Sequence, residues 1–247
     1  MGLKYNLTLH ELMNFFLEQD YEGYTEQELQ AAEKAVGIKL PSVYCDFLLK
    51  YGEGGVYDNL FTTQDELCTS YEMIHETLED LEGDFEEAER NGNQEEYADN
   101  PYFSLWHMPE EDWHTITQNY LLVGCDSQGI SYSGYLVQDL LDGKNDPPVY
   151  ISLDDDIIEF KKWTDNTEDF LIEMLCETAW ENNYSNDYNP EKRMSVKEIF
   201  AYMNVDIDEK KLKVSGHVGT CLDTAGNKLY IYFDYGDFQR IFFVCKE

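Results

Sequence analysis

A histidine followed by glutamate is where zinc-protease helices begin, and the chain offers that pair twice, in "HELMN" from His10 and "HETLE" from His75. Neither has the second histidine, one helical turn on, that would complete a metal site. His217 and Cys221 are near neighbours, but a nucleophile and its base also need spatial alignment. "GISYS" from Gly129 lacks the last glycine of a nucleophile elbow. "GEGG" at Gly52 to Gly55 lacks the lysine and hydroxyl residue with which a phosphate loop ends, and reads as a structural turn. Asp154 to Asp156 lacks the alternating ligands and glycine of a calcium loop, and reads as a charged turn. The six cysteines stand singly, with no CxxC pair, as reduced and mostly buried thiols would. No catalytic residue, metal or cofactor is expected.

Charge is the stronger signal. The 247 residues carry 51 acidic against 17 basic side chains, a formal charge of -34. Such a surface repels phosphate backbones and anionic lipids, so neither nucleic acid nor a membrane is an expected partner. The imbalance is also local: between Lys50 and Lys144 the only Lys or Arg is Arg90. Within that span Ile74, Leu78, Leu81, Phe85 and Ala88 keep helical spacing and push the carboxylates of Glu72 to Glu89 outward. A charge run is ordinarily just a solvated face. Here each like-charged pair one turn apart costs about 0.2 to 0.5 kcal/mol with almost no Lys or Arg to offset it, and a basic partner would relieve that cost. The candidate partner-binding residues are therefore Glu79, Asp80, Glu82, Asp84, Glu86, Glu87 and Glu89. Trp106 and Trp113, in the exposed-looking "SLWHMPEEDWHT", join them as aromatic anchors.

Several elements must carry these residues. Thr8 and Glu11 are spaced as a capping box for a short amphipathic helix, treated as an accessory element over residues 1–20. Thr25 and Glu28 start a second helix that Gly37 stops, and Pro41 opens a third with Tyr44, Phe47, Leu48 and Tyr51 inward. The acidic helix follows, interrupted by Gly83, with a turn at "NGNQ". "YLLVGCD", "SYSGYLV" and "PPVYISL" read as strands and "TEDFLIEMLCETAW" as a helix, so sheet follows helices in an α+β layout. The polar run "ENNYSNDYNPEKR" reads as a linker. Beyond it a helix capped by Ser195 and Glu198 and three strands form a small extension over residues 190–247, a meander turning at "TAGN". No apolar run reaches the roughly 18 residues of a membrane span, and the N-terminus resembles neither a signal peptide nor a myristoylation site, so a cytoplasmic location is expected.

The stretch "EKAVGIKLPSVYCDFLLKYGEGG" resembles the signature of the SUKH superfamily, which includes bacterial toxin-immunity proteins and fungal cell-wall regulators. Glu33, Gly37, Leu40, Pro41, Tyr44, Phe47, Leu48, Gly54 and Gly55 occupy its places. "LLVGCDSQG", "PPVYISLD" and "WTDNTEDFLIEML" are similar to later family segments, giving a SUKH-like domain over residues 21–181. Glu53 stands where the family usually has Asn, and Ile130 where Asp is common. The resemblance implies a mixed sheet flanked by helices, and protein binding rather than catalysis. With the charge, it points to an immunity protein that neutralises a polymorphic toxin's basic nuclease domain. A regulatory scaffold like the fungal relatives is the alternative, and a carboxylate-based metal hydrolase a third.

Overall fold

The computed structural model describes residues 2–16, 23–51, 67–125, 131–153, 157–181, 187–225, 227–236 and 238–245. The glycine turn at Gly52 to Gly55, the Asp154 to Asp156 run, Ile130 and part of the polar linker lie outside them. In chain order the elements are β1 (Leu3–Tyr5), α1 (Leu9–Phe16), α2 (Glu26–Val36), α3 (Ser42–Tyr51), β2 (Cys68–Thr69) and α4 (Ser70–Asn91). A 3-10 turn (Gln94–Tyr97), α5 (Pro101–Trp106) and a second 3-10 turn (Glu110–Thr115) precede β3 (Tyr120–Cys125), β4 (Tyr132–Leu136) and α6 (Val137–Leu141). Then follow β5 (Val149–Ser152), β6 (Phe160–Thr164), α7 (Thr167–Glu181), α8 (Val196–Tyr202), β7 (Val218–Asp223), β8 (Lys228–Asp234) and β9 (Gln239–Cys245). The fold is α+β. Among the described residues no helix is long and apolar enough to cross a membrane.

The chain forms two compact units, one of residues 23–52 with 58–165, the other of residues 1–22, 53–57 and 166–247. In the first, a five-stranded sheet runs β2-β3-β4-β5-β6. Every ladder in it is antiparallel, which corrects the mixed sheet implied by the family resemblance. The reason is the order of the strands: each pairs with its neighbour in sequence, so no parallel crossover arises. β2 and β6 were not anticipated; two residues are too few for a pattern, and "FKKWT" puts two lysines together.

Local chemistry explains the signature stretch. The Thr25–Glu28 capping box starts α2, and Gly37 ends it in a left-handed conformation at φ +73°. The Glu33 side chain then accepts a hydrogen bond from the Leu40 N–H at 3.0 Å, closing the turn into α3. Tyr44, Phe47 and Leu48 are buried, and the Tyr44 hydroxyl donates to the Val123 carbonyl at 3.1 Å, tying α3 to β3. Gly23 lies against α3 so closely that a Cβ there would sit 1.9 Å from the Leu49 carbonyl oxygen. These residues shape the scaffold.

The second unit holds a four-stranded antiparallel sheet in the order β1-β7-β8-β9. The expected C-terminal meander is there, and β1 adds a fourth strand, with Leu3 opposite Asp223 and Tyr5 opposite Cys221. The N-terminal segment is thus more than a helix. Asn6, at φ +56°, donates through Nδ2 to the Lys211 carbonyl and accepts from the Lys213 N–H, both at 2.8 Å. α1 packs on α7. Arg193 forks onto Asp234 at 3.0 and 2.9 Å, and the Tyr232 hydroxyl donates to the same carboxylate at 2.9 Å.

Two outcomes follow. Glu33→Ala leaves the Leu40 N–H without its acceptor and should cost about 1 to 3 kcal/mol in urea unfolding, while Glu33→Gln, which can still accept, should recover most of it. Burial presses the Asp234 carboxyl upward, but its bonds from Arg193, the Gly236 N–H and Tyr232 outweigh that and hold it below the usual 3.8. A lowered folded value means stability that is present above the unfolded value and is lost as pH falls through the folded one. Asp234→Asn should therefore flatten the loss of stability below about pH 4, read as urea midpoints against pH.

Candidate functional site

The acidic residues sit on α4, which runs without a break from Ser70 to Asn91. Gly83 was expected to interrupt it and does not. The position is exposed and a single glycine costs only about 1 kcal/mol. Both ends are firmly closed: Thr69 and Glu72 form a capping box, and Gly92 takes the left-handed cap at φ +73°. The "TSYE" box carries the same S/T-x-x-E signal as the helix starts read from the sequence, and could have been found there. The Ser70 hydroxyl also accepts from the Tyr120 N–H at 2.9 Å, joining the helix to β3.

The inward stripe is as the spacing predicts. Ile74, Leu78, Phe85 and Ala88 are buried, and Leu81 is half-buried. Phe85 meets the rings of Tyr97 and Phe103 edge-on, each at 5.2 Å, and that of Trp106 at 5.5 Å. Asn100 caps α5 by accepting from the Tyr102 N–H at 2.9 Å, with Pro101 in its first turn. α5 is thereby pinned across α4.

Glu79, Asp80, Glu82, Asp84, Glu86, Glu87 and Glu89 are all exposed. Compensation is slight. Arg90 reaches Glu86 at 3.8 Å and His107 reaches Glu89 at 3.2 Å, both on the surface, where such pairs contribute about 0 to 1 kcal/mol. Among the described residues Glu79, Asp80, Glu82 and Asp84 have no cationic partner. Pairs one turn apart, such as Glu76 with Asp80 and Asp80 with Asp84, repel, and no salt bridge among the described residues offsets them.

The two tryptophans fare differently. Trp106 is half-buried, whereas Trp113 is a core residue only 2% exposed, contrary to its exposed-looking sequence. Its indole N–H points at the carbonyls of Leu105 (3.3 Å) and Met108 (3.2 Å), because the short turn before β3 folds back over α4. The fold nevertheless brings Glu79, Glu82, Trp106 and Trp113 together around one cleft of ≈ 270 Å³. Leu78, Leu105, Met108, Glu110 and His75 also line it, and none of these is among the partner-binding residues expected from the sequence. The His75 ring lies 4.6 Å from that of Trp113, and its Nε2 is 3.0 Å from Glu110. Asp80, Asp84, Glu86, Glu87 and Glu89 lie outside the cleft.

The other chemistry weighed in the sequence gains no support. Burial, then neighbouring carboxylates, pushes the Cys45, Cys68 and Cys221 thiols up to about 11. Cys176, fully buried, is likewise raised well above the usual thiol range, by burial and then by Glu173 and Glu177. A thiol so shifted is a poor nucleophile. His217, the neighbour of Cys221 in sequence, places Nδ1 3.1 Å from Glu173. No group of three or more His, Cys, Asp or Glu among the described residues could hold a metal ion. The unrelieved repulsion on α4 is itself measurable: Asp80→Lys should raise stability by about 1 kcal/mol by turning its repulsions with Glu76 and Asp84 into attractions. A fall in the urea midpoint would mean that this carboxylate serves the fold.

Compared with known proteins, the chain matches one family model, SUKH_6, described as SMI1-KNR4 cell-wall, over residues 26–171. No curated protein and no solved structure matches it. The matched span contains α2, α3 with its Leu40–Pro41 turn, the whole of α4 and the five-stranded sheet. With more than half of its length matched, from the start of α2 to the first residues of α7, the chain belongs to the SUKH_6, SMI1-KNR4 cell-wall family.

Proposed function

We propose that the protein is a non-enzymatic immunity protein that binds and neutralises the toxic domain of a bacterial polymorphic toxin, a basic nuclease. Family membership supports a toxin-immunity or SMI1-KNR4-like role in protein interaction. The observation that carries the finer reading is α4, a rigid, capped helix presenting Glu79, Asp80, Glu82 and Asp84 with no cationic partner among the described residues. A nuclease cleft is built to grip phosphate, and a carboxylate face competes for that place. Mutual attraction speeds the encounter, while a few aromatic contacts hold the complex.

A second reading, a regulatory scaffold contacting several cellular partners, draws on the cell-wall description of the matched family model. One toxin-like partner recovered from the native cell favours immunity. A set of signalling or wall-synthesis proteins favours the scaffold.

The immunity reading is tested by co-expressing the chain with the variable C-terminal toxic domain of a large secreted protein encoded immediately upstream. Restored growth supports it, and unrelieved toxicity despite soluble co-expression refutes it. Reversing Glu79, Asp80, Glu86 and Glu87 to Lys should slow association about tenfold or more at low salt and flatten its salt dependence. The variant's thermal midpoint should not fall. Unchanged rate and salt dependence would move the interface off α4.

A further inference from the structure

The feature with the most to say beyond a general acidic face is the cleft between α4, α5 and the turn Glu110–Thr115. Its walls offer aromatic and thioether surface from the half-buried Trp106 and Met108, with the buried Trp113 behind them, and its rim carries the carboxylates of Glu79, Glu82 and Glu110. At ≈ 270 Å³ it falls just below the range of about 300 to 1,000 Å³ in which small-molecule sites lie, so it suits one large side chain. Met108 also borders a broader, shallower trough of ≈ 660 Å³ with Ala98, Phe103 and Pro109, giving apolar ground beside the cleft for the rest of a partner's surface.

The chemistry of the walls selects among occupants. An anion is repelled by three carboxylates. A purely apolar side chain would strip water from Glu79 and Glu82 and give nothing back, at a cost comparable to burying unpaired polar groups. A guanidinium satisfies both demands: its flat face is attracted to tryptophan, and its edge donates two parallel hydrogen bonds to a carboxylate. An ammonium, being a point charge with a tighter water shell, does this less well. Glu110 is already engaged by His75 at 3.0 Å, which leaves Glu79 and Glu82 as the cleft carboxylates with no cationic partner among the described residues. Resting on the proposal of a basic protein partner, we infer that this cleft receives an arginine side chain of that partner, stacked on the exposed part of the Trp106 indole and held by Glu79 and Glu82. The acidic face of α4 would then bring partners in, and the cleft would fix their register.

The test uses NMR on the full chain, following the indole N–H signals of Trp106 and Trp113. The probe is acetyl-Gly-Arg-Gly-Arg-Gly-amide, with lysine and citrulline versions for comparison. Saturable shifts of both indoles are expected with the arginine peptide, weaker binding with the lysine version, and no shift with citrulline. Glu79→Gln/Glu82→Gln should lower affinity for the arginine peptide about tenfold, while Asp84→Asn/Glu87→Gln, on the opposite flank of α4, should lower it less than about twofold. Both pairs remove the same charge from the same helix and are exposed, so neither long-range attraction nor folding separates them. Equal losses, or equal response to arginine and lysine, would overturn the arginine cleft and leave the acidic-face reading standing. A cleft that behaves as expected in a chain that neutralises no toxic domain would overturn the immunity reading alone.

Discussion

Ile74, Leu78 and Phe85 hold α4 down against its own charge. Each fully buried side chain of this kind contributes about 1.5 to 3 kcal/mol, whereas each like-charged pair on the outer face costs about 0.2 to 0.5 kcal/mol. The apolar stripe therefore outweighs the repulsion, and the helix stays folded with carboxylates on every outward flank. The rings of Tyr97, Phe103 and Trp106 around Phe85 extend the same contact into α5. Loosening Phe85 would release the helix, the wall of the cleft and the orientation of Trp106 together.

That arrangement separates two jobs that often compete. The residues matching the family signature close turns and pack: Glu33 bonds the Leu40 N–H, Gly37 supplies the left-handed cap, and Tyr44 reaches the Val123 carbonyl. On the proposed reading, interaction falls to α4, α5 and the turn before β3, where exposed carboxylates can vary without disturbing the scaffold. For a binding protein this is a favourable layout, because changing a surface charge typically shifts stability by less than about 0.5 kcal/mol.

The second unit follows a different logic. Its sheet recruits β1 from the beginning of the chain to flank β7, covering an edge that the three-stranded meander alone would leave open. The Arg193–Asp234–Tyr232 cluster and the Asn6 bonds to Lys211 and Lys213 then fix loops that carry little apolar surface. Nothing local in "GLKYN" announces a strand, since three residues give too short a pattern for a period to show.

Short-range chemistry was legible in the sequence. Helix starts marked by S/T-x-x-E, the Gly37 stop, the apolar stripe of α4 and the main strands each depend on residues within one or two turns of each other. Composition and spacing also determined that the middle of the chain is acidic and uncompensated. Only the tertiary structure decided that Trp113 is buried, that the five-stranded sheet is antiparallel throughout, that β1 closes the C-terminal sheet, and that Glu79 and Glu82 share a cleft with Met108, Glu110 and His75. Those outcomes depend on which distant segments come to touch, and contact between residues far apart in sequence leaves no periodicity for the chain to display.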